Sequence, residues 1–334
     1  MARVSLDDIA KRVGVSKTTA SFVLNGKGRQ RRISNDVIEK IQQAAKELNY
    51  KPNKLARSLR TGSTKVLGVI VIDVANHFHS KLSRAIENCA ARHGYRVMIC
   101  SSDENDTLLA EWVDELVDNK VEGLIIAPTV YARPKLLELQ KSNYPFVLVD
   151  RHFPNIDTDF VGIDNALASY NATKMMIDEG YREIGIIAFE PNLDVIRQRI
   201  EGYKNAISDS GFVVNENNIK TIGYHNIQEQ VREHVATLVE QGIRALLFTS
   251  NRIGVTGLQC LNEMKIRIPR DVAVFSYDDN EFFPLMSPSI SAISQPIEEM
   301  GEKAVELLLN RLKSPDKAHQ KVILKANIIR RDSV

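Results

Sequence analysis

From Val66 to Tyr277 the chain alternates short apolar runs with longer amphipathic stretches, and no other feature narrows its possible folds as much. The runs VLGVIVI, RVMIC, GLIIAP, FVLVD, IGIIAF, ALLFTS and VAVFSY read as strands of parallel sheets. Stretches such as SKLSRAIENCAARHG, and later IEEMGEKAVELLLNRL, carry apolar residues at helical spacing. A strand that is followed by a crossover helix is joined to a parallel neighbour, and the helices cover both faces of the sheet. There are too many such units for one doubly wound sheet of usual size. Residues 65–334 are therefore expected to form two α/β lobes.

The formal charge of the 334-residue chain is only +2, but it is unevenly spread. Residues 1–62 hold seven lysines and seven arginines against three aspartates and two glutamates, a net +9 that leaves −7 for the remainder. A basic head on an acidic body points to a nucleic-acid-binding module joined to something else. A merely lysine-rich soluble domain is the plainer alternative. Cys89, Cys100 and Cys260 form no C-x-x-C pair, which speaks against a zinc site or a disulfide framework and suits a reducing compartment. No run approaches the roughly 18 apolar residues of a membrane span, and the N-terminus carries no apolar targeting segment. The expected location is the cytoplasm, with no membrane partner.

SLDDIAKRVGVSKTTASFVLNGK reads as two short helices joined by a tight turn. Ser5 and Asp8 have capping-box spacing, Leu6, Ile9, Ala10 and Val13 share a face, and Gly14 stops the first helix. Ser16 caps a second helix with Ala20, Val23 and Leu24 inward and Lys17, Thr18, Ser21 and Phe22 outward. Ser34 caps a third, with Val37, Ile38, Ile41, Ala45 and Leu48 inward. This is helix-turn-helix spacing, in which outward residues near the start of the second helix reach base edges in a major groove. A plain three-helix bundle has similar periodicity. Between the second and third helices, NGKGRQRRIS gathers Lys27, Arg29, Arg31 and Arg32 with no acid beside them. A flexible loop of four cations at that place is expected to hold phosphates outside the base-reading helix. Pro52 and Gly62 then bracket about two turns of helix, too short to stand alone. Leu55 and Leu59 share one face there, among Lys54, Arg57 and Arg60. Apolar wedges beside cations open a minor groove; an ordinary linker is the alternative.

In open α/β sheets ligands bind beyond the carboxyl ends of the strands. Asp73 and Asn76 follow the first apolar run, Asp150 and Arg151 follow FVLV, Asn251 follows LLFTS and Asp278 follows VFSY. Carboxylates and guanidinium groups bridge adjacent hydroxyls while rings stack on a sugar's apolar face, so a polyhydroxylated ligand fits this set. Each aspartate also serves as an ordinary helix cap. Catalysis has little support: no G-x-G-x-x-G follows a strand, and neither a Walker loop nor G-x-S-x-G occurs. His77 and His79 lack a third metal ligand of matching context, and the acid pair Asp278–Asp279 lacks a nucleophile. No enzyme activity, cofactor or metal is expected.

LDDIAKRVGVSKTTASFVLNGK, AAKELNYKPNKLARSLRTGSTKVLGVIV, DVANHFHSKLSRAIE and the closing ILKANIIRRDSV resemble the lactose/galactose repressor (LacI-type) family of bacterial transcription regulators. The likeness covers essentially the whole chain, and the long turn with a TTAS recognition helix resembles the subgroup that includes fructose- and sucrose-operon regulators. The resemblance implies a helix-turn-helix domain over residues 1–51, a hinge helix and linker over 52–64, and a two-lobed core of periplasmic-binding-protein type over 65–334. It implies that Lys17, Thr18 and Phe22 read bases and that Thr19 and Ser21 meet phosphates. Leu59 matches a minor-groove wedge with Ala56 beside it, and Ser16, Asn25 and Asn53 complete the DNA-contacting set. Many relatives carry arginine where this chain has Phe22, so one hydrogen-bonded base contact is lost there and an operator sequence does not carry over.

For the effector, the resemblance implies Arg199, in RQRIEGY, together with Asp150, Asn251 and Asp278 as polar ligands. Asn76 and Arg151 join them, with Phe78, His79 and His225 on the walls. Arg252 stands where relatives usually have aspartate; with Arg151 and Arg199 it adds cations suited to a phosphorylated sugar or sugar acid. The function implied is a homodimeric repressor of carbohydrate-utilisation genes. It binds a pseudo-palindromic operator and is controlled allosterically by a sugar or sugar phosphate between the lobes. No heptad extension precedes Val334, so a dimer rather than a tetramer is expected. A sugar-binding transport protein shares the body's architecture; the +9 head and the absent signal segment oppose it.

Overall fold

Ser5 opens the first helix, Leu6–Val13, with both halves of the capping box: its Oγ accepts from the Asp8 amide at 3.3 Å, and the Asp8 carboxylate accepts from the Ser5 amide at 2.8 Å. Such a cap stabilises a helix end by about 1 kcal/mol. Gly14 ends the helix at φ 73°, in the left-handed region that strains a residue with a Cβ. Ser16 starts Lys17–Leu24 with a side-chain cap of its own, its Oγ accepting from the Thr19 amide. With Asn35–Glu47 these helices enclose Ile9, Ala10, Ala20, Val23, Ile41 and Ala44, all buried. The structure, a computed structural model, describes residues 4–50 and 63–334, which form two compact units that meet in sequence between Thr64 and Lys65. Asn53, Ala56 and Leu59 lie outside the described residues.

The cation loop is not the flexible segment its composition leads one to expect. Arg29–Arg31 form a 3-10 turn, and the Ile33 amide donates back to the Gly28 carbonyl at 3.1 Å. Gly28 is buried so closely that a Cβ would stand 3.0 Å from Ile38 Cδ1, while Ile33 packs against the helical core. Two apolar anchors thus fold a charged segment that periodicity alone leaves unstructured.

The second unit contains two six-stranded sheets. The first sheet holds β1 (Val66–Val71), β2 (Arg96–Ser101), β3 (Leu124–Ile126), β4 (Phe146–Val149), β5 (Asp159–Ile163) and β11 (Lys321–Leu324). The second holds β6 (Ile184–Phe189), β7 (Ile219–Ile222), β8 (Ala245–Phe248), β9 (Ala273–Tyr277), β10 (Ser291–Ser294) and β12 (Asn327–Ile329). Their orders are β11-β5-β4-β3-β1-β2 and β12-β10-β9-β8-β6-β7, so each strand of one sheet has a counterpart in the other. All pairings are parallel except that β12 runs antiparallel to β10. Interior strands β4, β6, β8 and β9 are buried throughout, the condition under which a strand reads as an unbroken apolar run. Edge strands β7, β11 and β12 are partly exposed, and their mixed sequences IKTI, KVIL and NII show no such run.

The chain passes between the sheets after β5, after β10 and between β11 and β12. The helix that follows β5, Asn165–Asp178, packs on Asp194–Asp209 and the second sheet; the helix that follows β10, Ile297–Lys313, packs on His77–Arg92 and the first. Each lobe therefore borrows a helix reached from the other, and neither is one continuous stretch of sequence.

Gly202 permits the first of these helix contacts, because a Cβ there would lie 2.0 Å from the Ala166 carbonyl oxygen. Alanine normally improves a helix by about 1 kcal/mol over glycine, but forced overpacking costs about 1–3 kcal/mol or more. Gly202→Ala is expected to lower the melting temperature of the body by several degrees in a circular-dichroism melt. A rise would mean that the two helices separate without cost.

Candidate functional site

On the second helix of the head, Ser16 and Thr19 are engaged with each other: the Ser16 Oγ accepts from the Thr19 amide at 3.0 Å, and the two hydroxyl groups lie 2.8 Å apart. The Asn25 side chain donates to the Ser21 carbonyl at 2.7 Å, closing the other end of the helix. Lys17 and Thr18 are exposed between these caps. The Arg31 guanidinium lies over the Phe22 ring, 4.8 Å from its centre. Among the described residues the head's ion pairs are Lys11–Asp7, Arg12–Glu47 and Lys40–Asp36, so Lys17, Lys27, Arg29, Arg31 and Arg32 present unneutralised charge.

In the body, all nine residues expected to form an effector site line one cleft of about 330 Å³ between the two sheets. Asn76, Phe78, His79, Asp150 and Arg151 come from the first lobe, and Arg199, His225, Asn251 and Asp278 from the second. Parallel strands explain the convergence, since all of them deliver their carboxyl ends to the same edge. Asp150 follows β4 and Asp278 follows its counterpart β9, at φ 65° and 64°. Their amides donate to Val161 and Ile293, each at 2.9 Å. Aspartate tolerates this left-handed conformation better than most residues, so both carboxyl groups are turned at the strand ends by the same local device.

Several polar groups bind one another across or along the cleft. Asn76 and Asn251 exchange side-chain amide hydrogen bonds of 2.9 and 3.1 Å from opposite lobes. Arg199 Nε donates to Asn165 Oδ1 at 2.7 Å and its Nη1 to the Thr249 carbonyl at 2.6 Å. Asp278 accepts from the Asn251 amide at 3.2 Å and from the Gln295 side chain at 2.7 Å. Asp279 turns away to a bidentate pair with Arg331, at 2.8 Å to each oxygen. The adjacent acids thus serve different contacts and form no catalytic dyad. Among the described residues no group of three His, Cys, Asp or Glu is arranged to hold a metal.

Sequence reasoning missed Glu104, Phe189, Tyr224 and Gln295, which line the same cleft. Glu104 receives Arg151 Nη1 at 2.9 and 2.8 Å, and Tyr224 stacks on Phe189 at 4.4 Å. Glu104 was within reach of the strand-end rule, since it lies just beyond the run RVMIC. Tyr224 follows β7, which carries no strand signal of its own.

The electrostatics favour a ligand that supplies hydrogen bonds to buried groups. Both ring nitrogens of His79, the Tyr224 hydroxyl and Gln295 Oε1 are buried and have no hydrogen-bond partner in the protein. Burial, followed by the positive charge of Arg151 and then Arg252, depresses the His79 pKa to about 3. Burial raises Asp150, with Arg151 and Arg199 pulling it back. Buried polar groups are rarely left unmet, so the cleft is chemically matched to a hydroxylated partner.

Residues 5–53 match the family model "Bacterial regulatory proteins, lacI family", and residues 173–334 match "Periplasmic binding protein-like domain". The ribose operon repressor of Haemophilus influenzae is 32% identical over 332 residues, covering 99% of this chain and 98% of that protein. The transcriptional regulator KdgR of Bacillus subtilis is 29% identical, covering 99% and 97%. The lac repressor dimer bound to operator and the anti-inducer ONPF shares the fold, with a TM-score of 0.86 at 21% identity and 99% coverage of both chains. A lacI-family regulator of Enterococcus faecium with bound ribose matches with a TM-score of 0.72 at 24% identity, covering 80% of this chain and 98% of that one.

The buried His79 makes stability depend on pH. In the unfolded chain its imidazole takes up a proton below pH 6.5, whereas in the folded cleft it stays neutral to about pH 3. Stability is therefore lost as the pH falls from 6.5 toward 3, by about 2 kcal/mol between pH 7 and 5. Denaturant unfolding of His79→Gln at the two pH values should show a correspondingly smaller loss than the unsubstituted protein. Equal losses would place the imidazole in solvent.

Proposed function

The chain belongs to the lacI family of bacterial regulatory proteins, and from that premise we propose how its two units divide the work of a ligand-controlled repressor. It is a DNA-binding transcription regulator and not an enzyme. Lys17, Thr18 and Phe22 face the bases, while Thr19, Ser21 and the loop cations Lys27, Arg29 and Arg32 face phosphates. The unneutralised charge on this face supports the assignment. Phosphate contacts supply affinity and its salt dependence, and two recognition helices on a pseudo-palindrome supply specificity. A homodimer provides those two copies. Exposed Met98 and Ile99 on edge strand β2, and exposed Phe282 and Leu285 in the second lobe, support self-association through the body.

The cleft binds a sugar or sugar phosphate in this reading. The observation that carries it is the set of buried, unpartnered polar atoms at His79, Tyr224 and Gln295, facing carboxylates and guanidinium groups that match vicinal hydroxyls. Binding to both walls shifts the lobes relative to each other. Residues 52–64, with Leu59 as minor-groove wedge, pass the change to operator affinity as a coupling free energy. The location that suits this work is the cytoplasm; among the described residues no helix is long and apolar enough to cross a membrane.

A gel shift on the DNA upstream of the protein's own gene, with and without a panel of sugars and sugar phosphates, tests both halves. The expected result is a specific complex whose affinity changes with one ligand class; no specific complex under any ligand would sink the reading. Asp278→Asn should leave operator binding intact and weaken the effector response by roughly 10- to 100-fold, the worth of one charge-assisted hydrogen bond. An unchanged response would remove Asp278 from the ligand contacts.

A further inference from the structure

Phe22 and Arg31 belong to different elements, yet the structure stacks them, with the guanidinium carbon 4.8 Å from the ring centre. Phe22 is half-buried on the outward face of Lys17–Leu24, one helical turn beyond Thr18. Arg31 arrives from the 3-10 turn that Gly28 and Ile33 anchor to the core. The ring is therefore a platform for a cation supplied by the neighbouring loop. Arg31 forms no ion pair among the described residues, so its donors are not consumed by a carboxylate.

We propose that Arg31 is a base-reading residue, held by the Phe22 ring at the face of the recognition helix, where it reads a guanine. This rests on the reading of the chain as an operator-binding regulator, and it departs from the expectation that all four loop cations contact phosphates. Among the described loop cations Arg31 alone lies over a ring of the second helix, and no such platform orients Lys27, Arg29 or Arg32. Resting over the Phe22 ring keeps the guanidinium on the outward side of the second helix, and its fork matches guanine O6 and N7. The Phe22 ring adds an apolar surface for a thymine methyl. With the guanidinium 4.8 Å from the ring centre, the two side chains are close enough to serve neighbouring base pairs.

The test uses the full-length protein. A randomised duplex library defines the preferred operator of the unsubstituted chain. Affinities for that operator and its single-base variants are then measured over a range of salt for Arg31→Ala, Arg31→Lys, Phe22→Leu and Arg32→Ala. Arg31→Ala is expected to lose roughly tenfold or more discrimination at one symmetry-related pair of positions, and Arg31→Lys to fail to restore it, since lysine lacks the fork. Phe22→Leu should lower discrimination at that position and at its neighbour. Arg32→Ala should weaken all sites alike and reduce the salt slope by about one. The proposal is overturned if Arg31→Ala behaves like Arg32→Ala, with uniform weakening and unchanged base preference. If the unsubstituted protein selects no site at all, the regulator reading itself fails and takes this inference with it.

Discussion

Arg199 is a guanidinium only 5% exposed, and the groups that keep it buried tie the body together. A buried cation is costly unless its donors are met. Here they are met by Asn165 on the helix that leaves the first sheet and by the Thr249 carbonyl just beyond β8. Its guanidinium carbon lies 4.1 Å from the centre of the Tyr277 ring, at the end of β9. The Tyr277 hydroxyl in turn donates to the Asn165 carbonyl at 3.0 Å and lies 2.8 Å from the Ser169 hydroxyl. One side chain thus fixes the crossover helix, the ends of two strands and the floor of the cleft. Removing it leaves two buried acceptors unmet at once, so any role at the cleft is inseparable from its contribution to the fold.

The contacts across the cleft are of a different kind. Asn76 and Asn251 form a neutral amide pair, worth about 1 kcal/mol per hydrogen bond. Lys81 and Glu281 form an exposed ion pair at 3.1 Å, for which about 0–1 kcal/mol is typical. Each lobe has a large apolar core, and one buried apolar cluster runs through residues of both lobes, so these polar contacts are a small part of what joins them. A ligand can shift the balance between two arrangements of the lobes only by as much as its affinities for them differ. The pseudo-equivalent Asp150 and Asp278 place one carboxyl group on each wall of the cleft.

Much of this was legible in the sequence where local rules act. Ser5, Asp8, Gly14 and Ser16 delimit the head's helices through bonds to residues three or four away. The buried strands β1, β3, β4, β6, β8 and β9 announce themselves because both of their faces are apolar. Strand ends then point to Asp150, Asn251 and Asp278. The strands β5 and β10 escaped because polar residues, Asp159, Ser291 and Ser294, occupy their ends. Asp159 is buried there against Arg311, at 2.9 Å from its Nε, a partner far along the chain.

What the sequence by itself determined is the head's three helices, the buried central strands, the outward face of the second helix and the family likeness, all of which follow from short spacings. Only the tertiary structure decided which polar groups meet. It separates the adjacent Asp278 and Asp279 into cleft and scaffold, joins Glu104 to Arg151, and brings Tyr224 to a wall from a strand without a signal. It also turns the four-cation loop from a flexible charge run into a folded turn that lays Arg31 on Phe22. The physical reason is the same in each case: these contacts depend on packing between elements distant in sequence, which no local periodicity encodes.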